Sequence, residues 1–312
     1  TRDVILAVPI SAASGITSVV QNAGKLSTKG FELLVSGTPV RTKTVSWDLS
    51  FNFTQFKSVV DDLAPNVSNI FLGGFTTPSI RLVKGDEYGQ IYGTKYQRNA
   101  QGQLLLSQTG FPIATPGVEK IGNPNPKWTM GITNGVTYKS INLGFLLDIR
   151  KGGDQYSRNI ADVQRNGVAK ETAEFPRFAA DNVTETKPYI FEGVYAPGTP
   201  NAGQANTTML SARQYYGNAG KYVAAEGYIY DTSWFRLREA SLSYKLPKSM
   251  LQRSPFGNVE FGLFGRNLYL KAKNYPHFDP EQNALGISNA QGLEFNSLPA
   301  SRTFGVNLKL TL

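Results

Sequence analysis

The only histidine of the 312-residue chain, His277, sits in Asn274-Tyr275-Pro276-His277-Phe278-Asp279, with Glu281 close behind. A Ser-His-Asp triad or a histidine-bearing metal site would have to pass through this one ring. A loop histidine among aromatics is read instead as structural or solvent-facing. Asp279 and Glu281 could offer carboxylates to a calcium ion, but the pair falls short of the six to eight oxygens that ion takes. They are assigned to ordering the turn at Asp279-Pro280. The chain has no cysteine, which excludes disulfide scaffolds, thiolate zinc sites and cysteine nucleophiles.

Two acidic pairs, Asp61-Asp62 and Asp86-Glu87, raise glycoside cleavage, which needs two carboxyl groups flanking one bond at a defined separation. Neighbours in sequence do not supply that by themselves, so the pairs are read as hydrated acids at strand-to-loop junctions. Gly73-Gly74 and Gly262-Leu263-Phe264-Gly265 lack the strand, turn, helix and lysine of a phosphate loop. The sequons at Asn66, Asn182 and Asn206 are what chance provides in a chain rich in Asn, Ser and Thr. No catalytic residue, cofactor or metal ligand is assigned.

Binding chemistry is better represented. Tyr88, Tyr92, Tyr96, Tyr156, Tyr189, Phe191, Tyr195, Tyr215 and Tyr216 lie in long segments between strands. There they could stack on sugars or grip peptide, although packing the loops together is the plainer use of any one ring. The net charge is +9, from 32 basic and 23 acidic residues, but the cations are scattered and form no basic arm. Nucleic acid is therefore not expected as a partner.

The elements that must carry these residues are strands. Gly 31, Phe 18 and Tyr 15 against Met 3 describe a turn-rich β protein, and no window has the 18 or so apolar residues of a spanning helix. Val45, Trp47, Leu49, Phe51 and Phe53 alternate with polar residues, as do Phe304, Val306, Leu308, Leu310 and Leu312. Phe31 to Val35, Trp128 to Tyr138, Ile141 to Ile149, Val259 to Leu263 and residues 234 to 245 complete seven strands. In the last of these the apolar parity changes between Leu237 and Ala240. A β-bulge near Arg238 and Glu239 would return both halves to one face.

Several runs last about 10 to 12 residues, close to a tilted membrane-spanning strand, with Trp47, Trp128 and Tyr138 toward their ends as in interfacial girdles. The connections alternate short and long: residues 37 to 42, 55 to 126, 139 to 140, 150 to 233, 246 to 257 and 269 to 301. Within the first long one, Gln90 to Tyr96 is expected to pair with Leu104 to Ser107 across Asn99-Ala100-Gln101-Gly102. An up-and-down barrel puts alternate connections at opposite ends, so every long loop falls on one side. The alternation then points Glu32, Asp48, Asn52, Asn142, Asp148, Arg236, Arg238, Glu260 and Arg266 into the lumen, to pack a plug, pair with one another or line the path.

Ordered through the chain are Lys29-Gly30-Phe31-Glu32, Ile121-Gly122-Asn123-Pro124-Asn125-Pro126-Lys127-Trp128, Asp148-Ile149-Arg150-Lys151-Gly152-Gly153, Tyr230-Asp231-Thr232-Ser233-Trp234-Phe235-Arg236-Leu237-Arg238, Gly265-Arg266-Asn267-Leu268, Phe278-Asp279-Pro280-Glu281 and Leu298-Pro299. In this order the chain resembles the C-terminal barrel portion of SusC/RagA-like, TonB-dependent outer-membrane transporters of Bacteroidetes. The resemblance departs at the last strand, which ends in Leu312 rather than an aromatic residue.

The resemblance implies that residues 1 to 312 are all-β, the C-terminal antiparallel strands of a 22-stranded plugged transmembrane barrel with long extracellular loops. The plug and N-terminal regions would lie outside this chain. It implies a bacterial outer-membrane location and energy-coupled import of a glycan or peptide. A SusD-like surface lipoprotein, TonB, the remainder of the barrel and outer-membrane lipid would be the partners. A passive porin or adhesin barrel, a soluble glycan-binding β-protein and a carbohydrate-active enzyme are the competing readings.

Overall fold

The computed structural model describes residues 4–10, 13, 15–286, 288–298 and 300–312. In chain order its strands are β1 (Val4–Pro9), β2 (Ser18–Arg41), β3 (Val45–Leu63), β4 (Asn69–Gly74), β5 (Ser79–Val83), β6 (Gln90–Gly93), β7 (Leu105–Leu106), β8 (Glu119–Gly122), β9 (Trp128–Tyr138), β10 (Ile141–Lys151), β11 (Asp154–Ser157), β12 (Val194–Tyr195), β13 (Ile229–Asp231), β14 (Trp234–Lys245), β15 (Asn258–Lys271), β16 (Leu293–Glu294) and β17 (Thr303–Thr311). The helices are short: α1 (Arg158–Arg165), α2 (Ala212–Tyr216) and α3 (Lys248–Leu251). No described helix is long and apolar enough to cross a membrane, which says nothing of strands.

Eight strands form one antiparallel sheet in the order β1-β2-β3-β9-β10-β14-β15-β17. Each wall strand pairs with its predecessor in the chain, so the wall is an up-and-down meander, and β1 and β17 are its two edges. One strand more is present than the alternation predicts. The short β1 is an unbroken apolar run with no polar face to betray it. β2 extends back to Ser18 through Gln21, Asn22, Lys25, Ser27 and Thr28, a stretch polar on both sides and therefore without contrast.

Register carries the apolar set around the wall. Val35 opposes Phe51 and Phe51 opposes Ile132. Ile132 opposes Leu147, and Leu143 opposes Leu242. Leu242 opposes Leu263 and Leu263 opposes Val306. Between β10 and β14 the register skips Arg238, since Leu147 pairs with Leu237 while Leu146 pairs with Glu239. This is the bulge the parity change requires, and it returns Phe235, Leu237, Ala240 and Leu242 to one face.

Among the described residues nothing packs over that face. In the middle of the sheet, Leu143 remains 43% exposed and Leu242 47%. The dry centres lie elsewhere, among the long connections. One gathers Ile80, Ile91, Tyr156, Ile160, Tyr228, Tyr275 and Leu293; a second gathers Val8, Ala23, Val60, Ile70 and Leu82. A sandwich would have buried the sheet's apolar face against a second layer. Here Trp47, Phe51, Phe145 and Leu308 share one side of a single layer, and none of the four is buried.

The connections alternate short and long as the sequence predicts, with shifted limits. β2 runs on to Arg41, past residue 37 where the sequence predicts a turn, and the true turn is Thr42 to Thr44, where the Thr42 hydroxyl accepts from the amides of Thr44 and Val45. The long connections are folded. β4-β5-β6-β8 make a four-stranded sheet, β13-β11-β16 a three-stranded one, and β12-β7 a parallel pair. The expected hairpin across Asn99–Gly102 exists only near its tip, where Arg98 bridges Leu104 and the Asn99 side chain accepts from the Gln101 and Gln103 amides. Gln90–Gly93 instead pairs with β5 and β8. β7 pairs with β12.

Candidate functional site: the lumenal wall and the folded loops

The inner face of the wall is mostly polar, Leu34, Leu146 and Phe264 apart, and its polar groups pair with one another. Asp48 accepts from the Thr38 hydroxyl at 2.6 Å, Glu260 from the Ser243 hydroxyl at 2.6 Å, and Arg266 is ion-paired with Glu239 at 3.0 Å. Asn52 accepts from the Gly131 amide, and a Cβ on Gly131 would lie 2.7 Å from that side chain. Asn142 accepts from Thr137 and donates to Ser243. Glu32 lies opposite Thr54 on the same side.

Arg236, Arg238 and Asp148 form a cluster that closes on a loop. The Arg236 guanidinium donates to both oxygens of Asp279, at 2.6 and 3.0 Å, and both side chains are buried. Arg238, placed inward by the bulge, bridges Asp148 on β10 and both oxygens of Glu281, the latter at 2.7 and 2.8 Å. The acids read as ordering a local turn are thus fastened to the wall by two arginines. The fork of the guanidinium suits this, because it meets a carboxylate through two parallel hydrogen bonds. His277, just before, pairs its ring with Glu171 at 2.9 Å. Burial pushes the Glu171 carboxyl up, but hydrogen bonds from His277, its own backbone and Gln164 outweigh that and hold it below the usual range. Among the described residues no group of three or more His, Asp or Glu could hold a metal.

The ordered motifs account for the seam between wall and loops. Asn123 donates its amide to Asp154 at 2.8 Å and its side chain to Glu87 at 3.0 Å, while its oxygen accepts from Gln90 and from Asn125. Asn125 reaches the Tyr88 carbonyl. Gly152 and Gly153 both have positive φ, +74° and +90°, a conformation costly for any residue with a Cβ. The Gly152 amide donates to Ser233, and the Thr232 amide to the Gly153 carbonyl. Burial pushes the Asp154 carboxyl up.

The acidic pairs do not converge on a reaction centre. Asp61 accepts from Ser27, and Asp62 pairs with Lys84. Asp86 takes the Tyr92 hydroxyl and Lys120, and Glu87 takes Lys57.

Four of the nine loop aromatics meet. Phe191 stacks on Tyr215 with ring centroids 4.3 Å apart, Tyr215 on Tyr189 at 5.1 Å, and Tyr216 meets both tyrosines edge-on. Phe175, which nothing in the sequence marked, extends the array beyond Tyr189 at 5.5 Å. The other five are dispersed. Tyr156 and Tyr195 are buried, the latter sharing a hydrogen bond with Thr208. Tyr92 donates to Asp86, Tyr96 to the Lys221 carbonyl, and Tyr88 packs against the cluster around Ile70.

On the outer face aromatic residues gather toward both ends of the strands, with Phe51 and Phe145 between them. Trp47, Tyr138 and Tyr244 lie toward the short turns. Phe53, Trp128, Phe235 and Tyr269 lie toward the long loops, with Phe53 5.9 Å from Trp128 and Phe235 6.4 Å from Tyr269. β9 begins at Trp128 and ends at Tyr138, 11 residues in all. At a rise of about 3.3 Å and a tilt of about 40° those ends stand roughly 25 Å apart along a membrane normal, the height of the apolar band of an outer-membrane barrel.

A wall with an uncovered apolar face, aromatic residues toward both ends of its strands, a mostly polar inner face and long loops at one end defines the class: a segment of an outer-membrane β-barrel. No protein-family profile matches the chain. Individual proteins do. TonB-dependent receptor P3 of Formosa agariphila is 26% identical over 340 residues, covering 99% of this chain and 31% of that protein. TonB-dependent receptor SusC of Bacteroides thetaiotaomicron is 22% identical over 336 residues, covering 99% and 29%. In a solved structure of the RagAB peptide transporter, one chain superposes with a TM-score of 0.66 at 20% identity, covering 99% of this chain and 32% of that one.

The chain therefore resembles TonB-dependent receptors of the SusC/RagA type over nearly its whole length, has their antiparallel barrel-wall fold and is an outer-membrane protein. It spans about a third of the length of the relatives it matches.

Proposed function

We propose that this chain forms the C-terminal wall and outer loops of a TonB-dependent importer that carries an oligomeric nutrient across the outer membrane. The observation that carries the reading is the two-faced single-layer wall, apolar and uncovered outside, mostly polar and self-paired inside. Other strands of the same barrel would pair with the open edges β1 and β17, since a lipid-exposed edge leaves backbone groups without partners. In this reading no residue of the chain breaks a covalent bond.

Asp48, Glu260 and Arg266 are the inner-wall groups left for a plug, because each makes only a local partner and keeps capacity for another. Asp148, Arg236 and Arg238 hold the loop that ends at β17. Among the nine loop aromatics, Tyr189 and Tyr215 are the substrate contacts this reading retains, since both are partly exposed in the shared array, whereas Phe191 and Tyr216 are buried beneath it. A SusD-like surface lipoprotein over the loop side and TonB acting from the periplasm through a part of the protein outside this chain complete the proposal. The same structural neighbour is a peptide transporter; glycan and peptide both fit an array of flat amphipathic rings.

The test is extraction of the native assembly in mild detergent, identification of what co-purifies, and uptake by cells with and without the proton-motive force. Recovery with a surface lipoprotein and energy-dependent uptake support import. Uptake unaffected by collapse of the proton-motive force points to a passive pore. Recovery as a water-soluble monomer overturns the reading.

A further inference from the structure

One cavity in the long connection between β10 and β14 is unlike the rest of the surface. It encloses about 530 Å³ at the C-terminal end of α1, and Arg165, Arg177 and Arg213 line it against a single carboxylate, Glu185. Arg165 is already paired with Asp162 at 3.1 Å. Among the described residues, Arg177 and Arg213 make no ion pair.

Unpaired guanidiniums on a solvated surface are ordinary, but here three features hold the site in shape. The carbonyls of the last turn of α1 are occupied, those of Asp162, Val163 and Gln164 by the amides of Asn166, Val168 and Gly167, so they do not cancel the positive charge. Gly167 has φ +70°, and a Cβ there would stand 3.0 Å from the Arg177 guanidinium, which lies against the bare backbone. Gln164, on the floor, is buried and fixed by Glu171 and Lys221. Phe178 lines the cavity and is 45% exposed.

We propose that this cavity binds an acidic sugar unit of an oligosaccharide, its carboxylate held by the forks of Arg177 and Arg213 and its ring against Phe178. Two parallel N–H donors meet a carboxylate bidentately, and the volume lies in the range of small-ligand sites. Asn166 supplies amide donors and acceptors for hydroxyls. Peptide recognition by strand addition needs an open backbone edge. Around the cavity the Ala179 and Thr186 amides already donate to the Thr184 and Arg177 carbonyls, and Tyr189 is paired with Leu210.

The proposal deepens the import reading by naming a substrate class, and its test needs no energy coupling. Trigalacturonate, trigalactose and tri-glutamate are titrated into the full-length detergent-solubilised receptor by calorimetry. The expected result is binding of trigalacturonate at least tenfold tighter than of trigalactose or tri-glutamate, weakened at least tenfold in R177A/R213A. The affinity weakens with added NaCl and is not restored in R177K/R213K, which keeps the charge but loses the fork. G167V displaces Arg177 and weakens binding without touching either arginine. Circular dichroism and retained heat-modifiable migration certify that each variant is folded. Absence of trigalacturonate binding, equal binding of trigalactose, unchanged affinity in R177A/R213A, or tighter binding of tri-glutamate overturns the assignment. Energy-dependent uptake of a neutral nutrient alongside any of these would leave import standing and remove only the acidic-sugar site.

Discussion

The guanidinium of Arg236 and the carboxylate of Asp279, distant in sequence, meet through two hydrogen bonds of 2.6 and 3.0 Å with both side chains buried. One belongs to the wall strand β14 and the other to the loop that descends to β17. The contact therefore sets where that loop lies relative to the lumen. Removing one partner strands a buried charge, which typically costs about 3 to 5 kcal/mol. Asp279→Ala should loosen residues 272 to 302, seen as new protease cleavage there in the detergent-solubilised protein. Arg236→Met with Asp279→Leu should recover most of the resistance. Equal resistance of wild type and Asp279→Ala would show that the pair does not anchor the loop.

The bulge at Arg238 separates two roles that substitution and deletion pull apart. Arg238→Ala keeps the extra residue and loses only the bonds to Asp148 and Glu281. It should reach the outer membrane in normal amount with a looser loop. Deleting Arg238 shifts one half of β14 by one residue and turns its apolar side chains to the opposite face. Heat-modifiable migration of membrane-extracted protein should be lost in the deletion alone.

The two faces of the wall predict opposite tolerance. Phe145 stands mid-strand in β10 on the outer face, where a lysine near the bilayer midplane costs about 2 to 4 kcal/mol. Phe145→Lys should deplete folded protein from outer-membrane fractions. Ser241→Lys, on the inner face of β14 opposite Gly144, should accumulate normally. Similar yields of both would mean that the outer face does not meet lipid.

Gly153 combines φ +90° with a neighbour in the way, since an added Cβ would lie 2.9 Å from the Pro124 carbonyl oxygen. Gly153→Ala is expected to cost about 1 to 3 kcal/mol, lowering the thermal transition of the detergent-solubilised protein. Gly198→Ala, also at positive φ but with open space around it, should lower it less.

Glu294 is fully buried and is held by the Ser157 hydroxyl at 2.5 Å and by Asn159. Burial pushes its carboxyl above the usual range despite those hydrogen bonds. The folded state therefore binds the proton more tightly than the unfolded chain. The stabilisation this gives is fully present below the ordinary glutamate pKa and is lost as pH rises through the folded value. Protection of the Ser157 to Ala161 amides, after correction for the intrinsic pH dependence of exchange, should accordingly be greater on the acid side of that window than above it. Glu294→Gln should flatten the dependence. Protection equally pH-dependent in Glu294→Gln would assign the effect to another group.

The order of residues was enough for the wall. Side chains of a strand alternate strictly, so Trp47 to Phe53 or Phe304 to Leu312 declares its two faces over a few neighbours, and even the Arg238 bulge shows as a change of parity. The meander follows, because hairpin-linked strands pair with their chain neighbours. Where polar residues occupy both faces, as in Ser18 to Lys29, that contrast vanishes and half of β2 was illegible. The loops were settled only by the folded chain. Asp279 reads as a turn former until Arg236 is seen beneath it, Glu294 as an ordinary loop acid until Ser157 and Asn159 enclose it, and Arg177 as a lone surface cation until α1 brings Gly167 against it. Those partners lie from ten to well over a hundred residues apart and follow no period. Closure of the whole chain chooses them, since a buried charge or polar group must find a complement wherever the fold happens to bring one.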